Sequence, residues 1–107
     1  MKMTIKDMEE SMVEMFDNND DLYQKWLAEN PDGFVINTTR DYSKDYMVLH
    51  KATCSSISKY TNMAQPGGFT ERRYIKICSD TIEDLENWVR KQGAITFTKE
   101  CGKCAPR

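Results

Sequence analysis

Two short pairs of metal-ligand residues constrain the fold of this chain more than any other feature of its sequence. His50 and Cys54 form the first pair in "HKATC", and Cys101 and Cys104 form the second in "CGKC". A Cys-x2-Cys turn lets two thiolates face one ion while backbone amides point at the sulfurs, and Gly102 would relieve that turn. One histidine and three cysteines are typical of a closed, tetrahedral zinc site. The sequence therefore predicts one zinc ion held by these four ligands.

The same residues allow other interpretations. The cysteines can be small buried apolar residues, the histidine can be an ordinary polar group at a strand end, and Cys-x2-Cys can be a redox motif. A redox pair usually starts the helix of a βαβ unit, whereas this one follows a short predicted strand. Cys78, the fourth cysteine, is a rival for the place of His50. We favour His50, because it stands close to Cys54 in the sequence and Cys78 fits a strand as a buried residue.

The length of 107 residues fits a single domain, 1–107. Residues 1–30 hold three lysines and eight acidic residues, whereas residues 31–107 hold twelve basic and nine acidic residues. We therefore divide the domain into an acidic helical N-terminal part (1–30) and an α+β zinc-binding module (31–107). A domain this small buries a modest fraction of its surface, so a metal cross-link would add substantially to its stability.

The chain shows no sign of a membrane segment. No apolar run approaches the ~20 residues that cross a bilayer. The first sixteen residues, "MKMTIKDMEESMVEMF", carry acids where a secretion signal would be continuously apolar. We expect no membrane contact and a cytoplasmic protein whose cysteines are reduced.

Hydrophobic spacing predicts two helices before residue 30. Residues 4–16 carry an apolar stripe rich in methionine, and residues 22–30 carry a second stripe in which Leu22, Trp26 and Leu27 point inward. The clearest helix follows later, in "SDTIEDLENWVRKQG". A capping box is expected to begin it and a glycine to end it. The residues involved are Asp80 and Glu83 at the start, Ile82, Leu85, Trp88 and Val89 in the stripe, and Gly93 at the end.

Segments rich in β-branched residues predict the sheet. "FVINT" (34–38) and "YMVLH" (46–50) are expected to form a hairpin, "RYIKICS" (73–79) is a third strand, and "AITFT" (94–98) is a short fourth. Residues 61–70, which contain Pro-Gly-Gly, form the one long loop. The expected fold is α+β, with a small antiparallel sheet, N-terminal helices, one helix packed on the sheet and a C-terminal zinc knuckle, by which we mean the turn 101–104.

This order of motifs resembles the small Ada-type zinc-binding domains, which combine Cys/His-x3-Cys with Cys-x2-Cys and occur in DNA-repair and nuclease contexts. The resemblance covers residues 34–106 and implies zinc at His50, Cys54, Cys101 and Cys104. The wider run "NPDGFVINTTR…CGKC" also looks like bacterial domains that include some associated with restriction-type nucleases. The chain differs from the Ada type in the longer separation between its ligand pairs. Its histidine replaces a cysteine of the alkyl-accepting site, so the resemblance implies the fold rather than methyl transfer.

The sequence offers little for catalysis. Its single histidine is assigned to the metal, and four protein ligands leave no open position for an activated water. No phosphate-binding loop, dinucleotide glycine motif, HExxH or GxSxG occurs. We therefore predict a binding module rather than an enzyme.

Nucleic acid is the leading predicted partner of this module. Arginine can grip a phosphate with two hydrogen bonds, and Tyr60 and Phe69 are candidate rings for base stacking. The basic residues expected to contact nucleic acid are Arg72, Arg73, Lys76, Lys99 and Lys103, with Arg107 beside them. A salt-sensitive affinity for DNA or RNA is expected.

The alternative function is protein interaction. The acidic, methionine-rich residues 4–16 can pair with a second copy in a homodimer or occupy the groove of a partner protein. A regulatory or inhibitory protein would act through such a surface.

Overall fold

The computed structural model describes residues 13–58 and 68–106. In chain order the elements are strand β1 (Glu14–Phe16), helix α1 (Asp20–Glu29), strands β2 (Phe34–Thr39) and β3 (Met47–Lys51), the short helix α2 (Ser55–Ser58), strand β4 (Tyr74–Ser79), helix α3 (Ile82–Lys91) and strand β5 (Lys99–Glu100). The predicted α+β class is confirmed.

The five strands form one sheet in the order β1-β4-β2-β3-β5. The central strand β2 pairs antiparallel with β3, as expected for the predicted hairpin, and antiparallel with β4 on its other side. β1 joins the outer edge of β4, also antiparallel. β5 runs parallel to β3, with Val48 opposite Lys99, so the sheet is mixed rather than wholly antiparallel.

Alternation along the strands divides the sheet into two faces. Val35 lies opposite both His50 on β3 and Cys78 on β4, and residues opposite each other share a face. We call this the front face. The back face carries the next residue of each strand, namely Ile36, Leu49 and Ile77.

Helix α1 packs on the front face. Asn19 caps the start of the helix, its side chain accepting a hydrogen bond from the Leu22 amide. The buried ring of Tyr23 lies 5.8 Å from that of Phe16 on β1, and its hydroxyl donates to the Ile57 carbonyl at 2.7 Å. Tyr23 therefore joins the two helices that cover this face.

The burial of α1 differs in one position from the prediction. Trp26 and Leu27 are buried as expected, but Leu22 is 52% exposed and Tyr23 takes the inward place. Spacing alone allowed either assignment, and the contacts of the Tyr23 ring with the front face decide it.

Helix α3 packs on the back face. Leu85 and Val89, two of the four predicted stripe residues, are fully buried there. Gly93 follows the helix with φ of +92°, a conformation that glycine adopts without strain. The predicted capping box is wrong in its first residue, because Thr81 is the N-cap and its hydroxyl accepts from the Asp84 amide.

The predicted helix over 4–16 is wrong where the structure describes it. Residues Glu14–Phe16 form β1, with Met15 opposite Ile77 of a strand much later in the chain. Local spacing carries no sign of such a distant partner. Residues 4–12 lie outside the described residues, as does most of the predicted loop 61–70. The expected strand at 94–98 is displaced to Lys99–Glu100. In the described part of the chain, the helices are all too short or too polar to span a bilayer.

The buried residues between α1 and the front face form what we call the front core, which includes Tyr23, Trp26 and Val35. A substitution at Gly33, in the turn between α1 and β2, tests how tightly this core is packed. A Cβ there would stand 2.7 Å from Cη2 of the buried Trp26 and 3.1 Å from the Ser79 carbonyl oxygen. Because these atoms belong to a packed ring and the backbone, Gly33→Ala should lower the free energy of unfolding by about 1–3 kcal/mol. Urea denaturation followed by circular dichroism measures the change.

Gly102→Ala is the matched control for Gly33→Ala. A Cβ at Gly102 would have no atom within 4 Å, so its effect should stay within about 0.5 kcal/mol. Equal losses in both variants would contradict the packing described around Gly33.

Candidate metal centre

The end of β3 supplies the first ligand pair. His50 is the residue before the last of this strand, and a turn over Ala52 and Thr53 leads to Cys54. The Cys54 amide donates to the Lys51 carbonyl at 3.0 Å, which closes the turn. At the end of α2, the Ser58 hydroxyl donates to the carbonyl of Cys54, the residue before this helix, at 2.7 Å. Strand, turn and short helix therefore hold His50 and Cys54 side by side.

The second ligand pair reaches the same place through β5. The Cys101 amide donates to the Leu49 carbonyl at 2.9 Å, continuing the parallel pairing with β3. The Ala105 amide then donates to the Cys101 carbonyl at 2.9 Å, closing the knuckle. In addition, the Lys51 amide points at the Cys104 sulfur, 3.3 Å away. The pairing of two strands, rather than the knuckle alone, brings the pairs together.

The four ligand atoms form a compact cluster. The side-chain ligand atoms of His50, Cys54, Cys101 and Cys104 all lie within 4.8 Å of one another, so these residues can hold one metal ion. The sulfurs of Cys54 and Cys101 are 4.0 Å apart. Two thiolates on a tetrahedral zinc ion, with bonds of ~2.3 Å, would be separated by about 3.8 Å. The Cys54–Cys101 pair is within a few tenths of an ångström of this value, and the limit of 4.8 Å on the other separations means that the ligands need to close by no more than about 1 Å around such an ion.

The environment of His50 favours the neutral imidazole that a metal requires. Its side chain is buried, and Nδ1 has no hydrogen-bond partner among the described residues. Burial, and secondarily the Lys76 ammonium, lower the pKa of His50 to about 4. A buried nitrogen without a partner is costly, and a metal ion accepting its lone pair would remove that cost.

The knuckle thiols are unequal. Burial alone would raise the pKa of Cys101, but the Cys104 and Lys103 amides and the neighbouring thiols lower it overall. Burial raises the pKa of Cys104 to about 11, and the nearby thiols of Cys54 and Cys101 add to this rise. The Cys104 thiol thus resists ionisation beside its neighbours until a cation balances the negative charge.

Cys78, the rival ligand, is not part of the cluster. It lies on the front face two strands from His50, with Val35 between them. Two strand spacings correspond to roughly 10 Å. The Cys78 side chain is fully buried in the front core, and burial is the main reason why its pKa is raised.

The role predicted for Gly102 is wrong. Among the described glycines, Gly93 has a positive φ and Gly102 does not. Within the knuckle region, Ala105 takes the left-handed conformation with φ of 45°. The turn therefore does not need glycine at position 102.

The residues predicted to contact nucleic acid have different environments. Arg72 and Arg73, just before β4, are exposed, as are Lys99 on β5 and Lys103 in the knuckle. Lys76 is 3% exposed. Its ammonium donates to the Asn37 side-chain oxygen at 2.8 Å and to the Phe69 carbonyl at 2.7 Å, so it is not available to a phosphate. The contacts of the other four with nucleic acid stay a prediction.

The two predicted stacking rings are not at the described surface. Phe69 is buried in the front core, which rules out base stacking on its ring without a rearrangement. Tyr60 and Arg107 lie outside the described residues.

Sequence reasoning missed a buried polar network beside the front core. The Asp20 carboxylate accepts from the Thr70 amide at 2.7 Å, the Thr70 hydroxyl at 2.6 Å and the Phe69 amide at 3.2 Å. Burial is the main cause that lowers the pKa of the nearby Lys76 to about 8, opposed by Cys78 and Asp20. Asp20 was one acid in an acidic stretch, and nothing in its spacing distinguished it from its neighbours.

Comparison with known proteins gives no relative for this chain. No family model, no curated protein and no solved structure matches it. The functional interpretation therefore rests on the residues themselves.

Proposed function

We propose that this chain is a non-catalytic binding module, held in shape by a zinc ion, that contacts nucleic acid. The convergence of His50, Cys54, Cys101 and Cys104 is the observation that carries the proposal. Three cysteines and one histidine are a ligand set typical of structural zinc sites. Magnesium and calcium prefer oxygen ligands instead. Four protein ligands complete the tetrahedron and leave no position for a reactive water, which supports a structural role.

The likeness to Ada-type zinc-binding domains belongs to the same proposal. It concerns the knuckle and the first ligand pair, and it carries over the metal-binding function only. Helix α3 and strand β4 lie between the two pairs in this chain, a longer separation than in the Ada type. The proposal includes no methyl transfer, because His50 replaces a cysteine of the alkyl-accepting site.

The distribution of charge supports an anionic partner on one side of the module. Arg72 and Arg73 precede β4, and Asp80 follows it, about 20 Å away along a strand of this length. Asp80 lines a cavity of about 580 Å³ together with three other acids. These are Glu14, Glu29 and Asp84. A polyanion would be repelled from this cavity and drawn towards the arginines and the lysines of β5 and the knuckle.

Exposed lysines also balance the charge of the metal site. Three thiolates and one neutral imidazole around a divalent ion leave a net charge of −1. Lys51, Lys99 and Lys103 are exposed and stand beside the ligands in the sequence. Lysines so placed can offset this charge and still face a phosphate backbone.

Binding to mixed-sequence DNA and RNA at a series of salt concentrations tests the nucleic-acid function. Fluorescence anisotropy with a labelled oligonucleotide should give an affinity that falls steeply with salt, because each phosphate contact releases a counterion. The double variant Lys99→Glu/Lys103→Glu should bind at least tenfold more weakly and show a smaller salt slope.

Lys25→Glu is the control, since it makes the same lysine-to-glutamate change once, half the charge change of the double variant, on the exposed side of α1, beside the acidic cavity. It should leave the affinity within about twofold. Absence of binding by the unaltered chain at the lowest salt would contradict the nucleic-acid function.

Protein interaction is a second candidate, favoured by an exposed apolar site where β1 begins. Val13, Met15 and Trp88 line a cavity of about 260 Å³ there, and the acidic, methionine-rich residues precede it in the sequence.

Deleting residues 1–12 keeps β1 intact and distinguishes nucleic-acid binding from protein interaction. The deletion should preserve nucleic-acid affinity under the main proposal, whereas loss of a homodimer in analytical ultracentrifugation would favour interaction.

A further inference from the structure

We infer that the open end of the front face is a platform on which the bases of a single-stranded nucleic acid stack. This inference rests on the proposed function and deepens it by naming the kind of nucleic acid and its contact surface. We call this surface the tyrosine platform and define it by Tyr46, Tyr74, Asn37, Val48, Arg73 and Lys99.

The two tyrosine rings form the centre of the platform. Tyr46 precedes β3 and Tyr74 begins β4, and their ring centroids lie 5.3 Å apart with an interplanar angle of 34°. Tyr74 lies opposite Thr39 of the central strand, so the ring pair stands above the middle of the sheet. The Asn37 amide lies 3.5 Å from the Tyr46 hydroxyl. These contacts fix the orientation of the rings before any ligand arrives.

The Tyr46 ring is partly open to solvent although it packs against the ring of Tyr74. It is 37% exposed, which is unusual for a large apolar side chain in the described part of this domain. The front face is buried at its other end, where α1 covers Val35 and Cys78. An aromatic ring left open on a rigid sheet offers the flat, sequence-tolerant surface that unpaired bases use.

Basic side chains lie on both sides of the two rings, where they can contact the phosphates of a single-stranded nucleic acid whose bases stack on the rings. The Arg73 guanidinium lies 5.7 Å from the centre of the Tyr74 ring, and Arg73 is exposed. Asn37 on β2, Val48 on β3 and Lys99 on β5 lie opposite one another across the sheet. Lys99 therefore stands at the β5 edge of the sheet, in the row of residues next to the two rings. Phosphates on both sides of a stacked base would thus meet a basic side chain.

The buried Lys76 contacts groups at the centre of the platform. Its ammonium lies 6.0 Å from the centres of both the Tyr23 and the Tyr74 rings and donates a hydrogen bond to the side-chain oxygen of Asn37. Asn37 in turn contacts Tyr46. The platform rests on a buried lysine that positions the aromatic and amide groups and does not itself reach the strand.

A double-stranded nucleic acid fits this surface poorly. Bases inside a duplex are already stacked and paired, so a tyrosine ring on a sheet cannot reach their flat faces. The inference therefore predicts a preference for single strands that basic residues alone would not produce.

The test compares a fluorescein-labelled oligothymidylate of twelve nucleotides with a mixed-sequence duplex of twelve base pairs, using the full chain loaded with zinc. We expect the single strand to bind at least fivefold more tightly. Tyr46→Ser should weaken its binding about tenfold, since one stacking contact is lost, whereas Tyr46→Phe should bind within about twofold of the original chain. Arg73→Gln should weaken binding several-fold and reduce the salt slope by about 1.

The control for loss of an exposed apolar side chain is Ile95→Ser, because Ile95 is 89% exposed, is not a platform residue and follows α3, the helix on the back face. It should not change the affinity, and circular dichroism should show all variants equally folded. If the chain binds nucleic acid but Tyr46→Ser behaves like Ile95→Ser, or the duplex binds more tightly, the tyrosine platform is wrong while the proposed function stands. If neither oligonucleotide binds at low salt, both are wrong.

Discussion

Replacing Cys101 with alanine should abolish metal binding and leave the chain largely unfolded at 25 °C. Structural zinc in small domains contributes on the order of 10–16 kcal/mol of apparent binding free energy, whereas a whole domain is stable by only about 5–15 kcal/mol. Cys101 is partly buried against the front core and joins β5 to β3. Alanine keeps the backbone hydrogen bond of residue 101 to the Leu49 carbonyl, but it removes a ligand sulfur, and with it the ion that would tie the C-terminal strand to the end of β3.

Cys78→Ala is the matched control for this prediction. It removes the same thiol from a fully buried position outside the ligand cluster. We expect this variant to keep one zinc per chain and to lose about 1–2 kcal/mol through the cavity it leaves. Elemental analysis and denaturation followed by circular dichroism measure both effects.

A chelator that removes zinc from the unaltered chain should reproduce the result of Cys101→Ala. If Cys101→Ala and Cys78→Ala instead have equal stability and equal metal content, the cluster does not organise the fold. Loss of the metal in Cys78→Ala as well as in Cys101→Ala, with the metal retained in His50→Ala, would show that Cys78 takes the place of His50 as the fourth ligand.

Replacing Asp20 with alanine should lower the free energy of unfolding by about 3–5 kcal/mol. The carboxylate is buried and accepts hydrogen bonds from the Phe69 amide and from the amide and hydroxyl of Thr70. Each buried donor left without an acceptor costs about 1–3 kcal/mol. The substitution also removes a carboxylate that, with Cys78, opposes the lowering of the Lys76 pKa, leaving that buried cation less well balanced.

Asp21→Ala is the control, because Asp21 is an exposed carboxylate in the same first turn of α1. Its loss should cost no more than about 0.5–1 kcal/mol, the value of a charge at a helix N-terminus. Urea denaturation of the two variants measures the difference. Similar losses would mean that the Asp20 hydrogen bonds do not anchor residues 69–70 as described.

The helices and strands that are marked by a pattern of neighbouring residues could be predicted from the sequence. β-branched residues marked β2, β3 and β4, and an apolar stripe ending at Gly93 marked α3, because these patterns depend on neighbours within one or two turns. The four clustered ligands were found for a similar reason. Short spacings brought each pair together, and the chemistry of zinc indicated that the pairs meet.

The remaining features depend on partners far along the chain. Met15 and Phe16 fit a helical stripe equally well, and only their pairing with β4 makes them a strand. Lys76 reads as one more surface cation until Phe69 and Asn37 enclose it. The pairing of Tyr46 with Tyr74 arises because both stand beside Thr39 in the folded sheet, which no spacing rule reveals.

X-ray absorption at the zinc edge tests the ligand assignment most directly. The purified chain should contain one zinc, with three sulfur neighbours at ~2.3 Å and one nitrogen neighbour at ~2.0–2.1 Å. His50→Ala should remove the nitrogen signal or the metal itself. A shell of four sulfurs, a shell of oxygens, or a folded chain that takes up no zinc would contradict the assignment of His50, Cys54, Cys101 and Cys104.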